Sequence, residues 1–297
     1  MAGKRYFEKW RGKDTIHLLP HSPQHQHHVH SPSPPSPSEI HITMTMTGAY
    51  LSLFAFIAAY ASHIPTNVLS LSSTTSRCLI RICHNKDCTK HGGGEQLLNV
   101  FRDLLPGASD DPPRVTIESS GCLSQCGKGP NVAVIGSDKK EQFFFGVVDP
   151  TTASAVLDVA TGVEFPIQLL VAATSIVEAE HTASIDKKEA ILSSVIAELS
   201  NEDSSLINSF ARAHALFLRA DARLDMSPAD IAGAVDDATL ASQLAPSERK
   251  VWRVLSSAHE ANGNIMEAIN AVRKWGVVDP SFATKAKKEI ERLQLLM

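Results

Sequence analysis

The sequence predicts a chain in three parts: a non-globular leader over 1–76, a small α/β module over 77–163 and an all-α module over 166–297. Three observations carry this reading. Short apolar or alternating runs lie between Cys78 and Val148, broken by one stretch of helical spacing. From Pro166 onward the spacing is helical throughout. Before both comes a Pro-, Ser- and His-rich tract that cannot bury enough apolar surface to offset its ordering entropy. The length of 297 residues accommodates two domains. With 28 Lys+Arg against 32 Asp+Glu, the net charge of −4 speaks against a general nucleic-acid binder. No run of 18 apolar residues occurs, so no bilayer-spanning helix is expected in the mature protein.

The leader divides further. His21, His25, His27, His28 and His30 could hold a metal, but low complexity is the commoner reason for such a run. Residues 49–61 form an apolar run of signal-peptide length, ending in Ala59-Tyr60-Ala61, a small-x-small site. Residues 62–77 are hydroxyl-rich and end in Arg77, and no Asp or Glu occurs from Ile40 to Lys86. A signal-like run followed by a transit-like one resembles the bipartite presequence of algae with complex plastids, which implies import into a plastid and removal of the leader. The apolar run starts far from Met1; translation from Met44 or Met46 would restore the usual spacing. The alternative is that 49–61 is a buried strand or helix.

In the α/β module, Cys78-Leu79-Ile80-Arg81-Ile82 alternates as a strand does. Leu97, Leu98, Phe101, Leu104 and Leu105 lie at helical spacing, and Pro106-Gly107 stops that helix. Strands are expected at 114–119, 132–135 and 143–148, with a turn at 136–140. Asp149-Pro150 reads as an N-cap with proline at the first helical position. The expected order is β-α-β-β-β-α.

Four of the five cysteines fall in two close pairs, Cys83-x4-Cys88 and, 33 residues on, Cys122-x3-Cys126. Four thiolates can hold a [2Fe–2S] cluster or a structural zinc, and they could also form two disulfides. Structural zinc favours tighter two-residue knuckles, whereas wider loops wrap a larger object with backbone N–H groups aimed at the sulfurs. Both pairs are expected on loops at one end of the sheet. Cys78 shares a strand face with Ile80 and Ile82 and reads as a buried, inert thiol. Gly92-Gly93-Gly94 has no phosphate-loop register and reads as a turn that lets the Cys88 loop close. Gly127 and Gly129 suit positive φ or close backbone approach. Lys128 either offsets charge beside Cys126 or is a solvated lysine.

The second pair sits in Gly121-Cys122-Leu123-Ser124-Gln125-Cys126-Gly127-Lys128-Gly129-Pro130-Asn131. A C-x4-C pair after a first strand, then GC-x3-CG-x-GPN before an apolar strand, resembles the thioredoxin-like [2Fe–2S] ferredoxins. That family includes small bacterial proteins and the homologous electron-transfer subunit of NADH dehydrogenases. The resemblance covers about residues 77–163. It implies a thioredoxin-like fold and a one-electron [2Fe–2S] cluster with Cys83, Cys88, Cys122 and Cys126 as ligands.

In the all-α module, Asp186-Lys187-Lys188-Glu189 reads as a capping-box start and Ser227-Pro228-Ala229-Asp230 as a cap-plus-proline start. Trp252, Leu255, Ser256, His259, Gly263, Ala268, Val272, Trp275 and Pro280 fall at the key spacings of a tetratricopeptide repeat. One period earlier, Ala234, Ala238, Ala241 and Pro246 occupy the second-helix slots, and 285–296 reads as a capping helix. The module thus resembles a short, degenerate tetratricopeptide array of about two repeats; the alternative is a plain helical bundle. From Asp186 onward 16 acidic and 14 basic residues balance, so a mixed polar and apolar partner contact is expected.

Together these readings describe a plastid-targeted electron-transfer or redox-responsive protein, not an enzyme in itself. Its expected partners are a redox partner protein and a protein docked on the helices, with no nucleic acid. The rival readings are a scaffold or assembly factor with a structural or sensing cluster, and a zinc-stabilised adaptor. A thioredoxin-type dithiol reductase is disfavoured because no C-x-x-C occurs.

Overall fold

Alternation in the first strand sets the sheet. In the computed structural model, which describes residues 77–105, 115–162, 166–201 and 209–297, β1 (Cys78–Cys83) turns Ile80 and Ile82 into the core. Its Arg81 stands on the other face, where the guanidinium donates to Glu118 at 2.8 Å. The leader, with its signal-like and transit-like runs, lies outside the described residues. After β1 come α1 (Lys86–Lys90), α2 (Glu95–Leu104), β2 (Val115–Ser120), β3 (Asn131–Ile135), β4 (Glu141–Phe145) and α3 (Pro150–Thr161). The four strands form one mixed sheet in the order β2-β1-β3-β4. β1 and β2 are parallel, which requires a crossover, and α1 and α2 lie in that connection. The other two pairings are antiparallel. Leu97, Phe101 and Leu104 of α2 pack with Ile80, Ile82, Val132 and Val134 in one core, at about 1.5–3 kcal/mol for each large side chain buried.

The structure corrects some details. β4 starts at Glu141 and stops at Phe145, earlier than the expected 143–148. Gly146 takes φ +67, breaking the strand, and Val147 N–H then donates to the Pro130 carbonyl at 3.2 Å. α1 was not expected: Asn85 caps it by accepting from Asp87 N–H. The α3 start is as read, with Asp149 and Thr152 forming a capping box around Pro150.

The helical region comprises α4 (Ile167–His181), α5 (Ile185–Asn201), α6 (Ser209–Asp225), α7 (Ile231–Leu244), α8 (Arg249–Ala261), α9 (Ile265–Val278) and α10 (Ala283–Gln294), with a 3-10 turn at Pro280–Phe282. The start of α5 lies earlier than Asp186: Ser184 Oγ accepts from Lys187 N–H at 3.3 Å. Asp230, not Ser227, caps α7, accepting from Gly233 N–H at 3.0 Å. Ala234, Ala238 and Ala241 are fully buried, so α7 can approach its neighbours closely. α4 is apolar on two faces. Leu170, Ala173 and Val177 join the sheet core, while Leu169, Ala172, Ile176 and Ala179 join the helical core.

The polar face of α2 does not meet water alone. Arg102 donates to Glu248 at 3.0 Å, Glu95 accepts from Arg249 at 3.0 Å, and Asp103 accepts from His214 Nδ1 at 2.8 Å. Sheet, α2 and helices therefore belong to one compact unit.

Candidate metal centre

The parallel register of β1 and β2 brings the two cysteine pairs together. Cys83, the last residue of β1, stands opposite Ser120, the last of β2. His84 N–H extends the ladder by donating to the Ser120 carbonyl at 2.8 Å. Cys122 follows two residues beyond Ser120, at the same end of the sheet. β3 starts at that end as well, since Ile82 pairs with Val132. The first pair is not on a loop: Cys83 closes a strand, and Cys88 sits in α1. A five-residue helix held by one cap leaves no periodicity to read, which is why the sequence showed it as a loop.

The four thiols lie close enough to act on one another. Cys83 interacts with both Cys88 and Cys122. Cys122 Sγ lies 3.5 Å from Cys126 Sγ. All five cysteines are free thiols. Among the described residues no group of three or more Cys, His, Asp or Glu surrounds a single point as one metal ion requires. Backbone donors face the sulfurs: Ser124 N–H reaches Cys122 Sγ at 3.4 Å, and the N–H groups of Leu123 and Asn85 serve Cys83. Burial opposes ionisation of Cys83, yet those N–H groups and the neighbouring thiols hold its pKa below the ordinary thiol value. Burial, then the Cys83 thiol, push Cys88 up to about 11. The Cys122 thiol raises Cys126. Burial alone pushes Cys78 up to about 11, and it packs in the sheet core.

Exposure divides the four thiols. Cys83 and Cys88 are 1% and 3% exposed, whereas Cys122 and Cys126 face solvent. The loop residues have the conformations this needs. Ser124 takes φ +59, Gly127 +87 and Gly129 +88, and a Cβ on Gly129 would stand 3.2 Å from Gly146 Cα. Gly93 N–H donates to the Cys88 carbonyl at 2.9 Å, and a Cβ there would lie 2.8 Å from that oxygen. The Gly92–Gly94 turn is thus packed against Cys88. Lys128 places its ammonium 4.6 Å from the Phe145 ring centre, a cation–π contact.

Two residues beside the thiols escaped the sequence reading. Asn131 Nδ2 donates to the Gln125 carbonyl at 2.8 Å and lies 3.9 Å from Cys88 Sγ, so it ties the second loop to the first pair. Its signal was present, as the last residue of the GPN run. His84 is fixed by Ser119 Oγ, 2.9 Å from its Nδ1; no sequence pattern marks it. No protein-family model, curated protein or solved structure matches this chain.

Proposed function

We propose that Cys83, Cys88, Cys122 and Cys126 hold a [2Fe–2S] cluster in a thioredoxin-like module, and that the chain serves electron transfer or redox sensing. The observation that carries this reading is the meeting of two cysteine pairs at the ends of two parallel strands. The donor set fits: four mutually close thiols are the ligand set that a [2Fe–2S] cluster requires. The backbone N–H groups at Cys83 and Cys122 suit anionic sulfur. When bound, such a cluster takes up or gives one electron.

The chain's own residues divide the work. Cys83, Cys88 and the Gly92–Gly94 turn form a buried wall that keeps water from one side. Cys122 and Cys126 form the open side. A redox partner protein approaches there, where the path from solvent to sulfur is shortest. We read α6 with α7 and α8 with α9 as two degenerate tetratricopeptide-like hairpins closed by α10, serving as a docking module for a second protein. The leader reading places this work in a plastid.

Anaerobic purification followed by iron, sulfide and zinc analysis and reduced-state EPR tests the proposal. Iron and sulfide in equal amounts are expected, and both are lost when Cys83, Cys88, Cys122 or Cys126 is changed to serine. Cys78→Ser keeps them. Stoichiometric zinc without sulfide, or full loading of Cys122→Ser, overturns the reading.

A further inference from the structure

We infer that the cavity between α8, the end of α9 and the start of α10 binds a small, multiply charged oxoanion of the pyrophosphate or phosphate-ester type. The cavity measures about 270 Å³ and is lined by Arg249, Lys250, Arg253, Trp275, Phe282 and Lys285. Four cations and two aromatic rings line it; the carboxylates paired with three of those cations, Glu95, Asp279 and Asp221, are not in the lining. A concave site lined by one sign of charge focuses its field on an incoming counter-charge.

The cations are held by the lining rings and by carboxylates outside the lining. The Arg249 guanidinium lies 4.4 Å over the Phe282 ring, donates to Glu95 at 3.0 Å and has its Nε 3.8 Å from Asp279. Lys250 Nζ is 3.3 Å from the same Glu95 oxygen, and Arg253 reaches Asp221 at 3.8 Å. Lys285 Nζ stands 5.6 Å from the Phe282 ring centre and 5.8 Å from that of Trp275. Side chains already placed in this way lose little further freedom when a ligand arrives. Arg253, whose side chain is about half exposed, offers a forked guanidinium donor that matches the oxygen pair of a tetrahedral oxoanion, while Arg249 already engages Glu95 and Asp279 and contributes its charge. α10 adds a third contribution. Phe282, the residue before it, provides no side-chain cap, and both Phe282 and Lys285 of the first turn line the cavity.

The same features argue for a small anion over a peptide. The aromatic faces that would grip a peptide side chain are covered by Arg249 and Lys285, and Trp275 is buried. Charge is what remains to recognise. It is segregated along the helical region: from Glu248 to Met297 there are nine Lys or Arg and six Asp or Glu, whereas Asp186 to Ser247 has five and ten.

Calorimetric titration of the full chain with pyrophosphate at fixed ionic strength tests the site. Succinate, an oligoglutamate peptide and phosphatidic-acid vesicles serve as separate titrants. One saturable pyrophosphate site is expected, weakened roughly tenfold or more by Arg253→Gln and by Lys285→Gln, as the loss of a charge-assisted contact requires. Lys287→Gln, on α10 but outside the lining, leaves the affinity unchanged and controls for general charge. Unfolding curves of each variant verify the fold. Absence of a saturable site, tighter binding of oligoglutamate, binding to vesicles alone, or an equal loss in Lys287→Gln overturns the inference.

Discussion

Asn131 couples the two cysteine pairs through one amide. Its Nδ2 donates to the Gln125 carbonyl inside the Cys122–Cys126 loop while lying against Cys88, and the residue is 1% exposed. Asn131→Ala would leave the Gln125 carbonyl without this donor, at a cost of about 1–3 kcal/mol. The expected outcome is a lower urea midpoint at unchanged slope, together with faster loss of iron from the proposed cluster to a chelator. An unchanged rate of iron loss would show that the amide serves packing alone. Gly129 makes a similar point by a different route. Its positive φ and its 3.2 Å approach to Gly146 together demand a residue without a Cβ.

At the scale of the element, α2 is the piece on which sheet and helices agree. One face carries Leu97, Phe101 and Leu104 into the sheet core; the other carries Asp103 to His214 of α6. Asp103 is 0% exposed and His214 1%. The imidazole faces Asp103 from α2 at 2.8 Å and Glu180 from α4 at 3.6 Å, between the rings of Phe210 and Phe217. Burial lowers the His214 pKa, but Asp103 and Glu180 outweigh it and raise it to about 9. Burial pushes the Asp103 carboxyl up, against the pull of His214. A histidine whose folded pKa exceeds its ordinary 6.5 contributes stability that is full below 6.5 and is lost as pH rises through about 9. The denaturation midpoint of the wild type should therefore fall more steeply from pH 6.5 to 9 than that of His214→Gln, which does not titrate. At pH 6.5 the variant should be less stable by about 3 kcal/mol, because Asp103 loses its cation. Parallel pH profiles for the two proteins would contradict this account.

For the whole molecule, the same joint decides how far the parts can stand alone. α4 contributes Leu170, Ala173 and Val177 to the sheet core, and α2 contributes the carboxylates that meet His214 and Arg249. A fragment of residues 166–297 exposes that apolar face and leaves the His214 cation without Asp103. Its expected behaviour is unfolding at a lower denaturant concentration than the helical signal of the full chain, with a tendency to aggregate. Circular dichroism at 222 nm during urea titration of both proteins checks this. A fragment as stable as the full chain would mean that the joint adds nothing. The joint also links the two proposed sites. Glu95, which holds Arg249 and Lys250 beside the cationic cavity, directly follows the Gly92–Gly94 turn that packs on Cys88.

Elements whose causes are local are legible in the sequence. CLIRIC alternates, so β1 is a strand with Ile80 and Ile82 inward. The spacing of Leu97, Leu98, Phe101 and Leu104 makes α2, and Asp149-Pro150 starts α3. The two cysteine pairs and the glycines around them could be picked out by spacing alone, and the structure brings both pairs to one end of the sheet. Other features were settled only by packing. α1 is too short to show a period, and β4 ends where Gly146 turns, not where the apolar run ends. Ser184 starts α5 ahead of a better-looking box, because whichever side chain reaches the free N–H groups caps the helix. The polar face of α2 reads as a solvated face until α6 and α8 supply His214 and Arg249 to meet it. A balanced charge count from Asp186 onward likewise hid four cations brought around one cavity. Periods, caps and turns depend on residues within a few positions, so a sequence displays them. Which polar side chains share a buried joint or a cavity depends on residues more than a hundred positions apart, such as Asp103 and His214, and only the packed chain decides that.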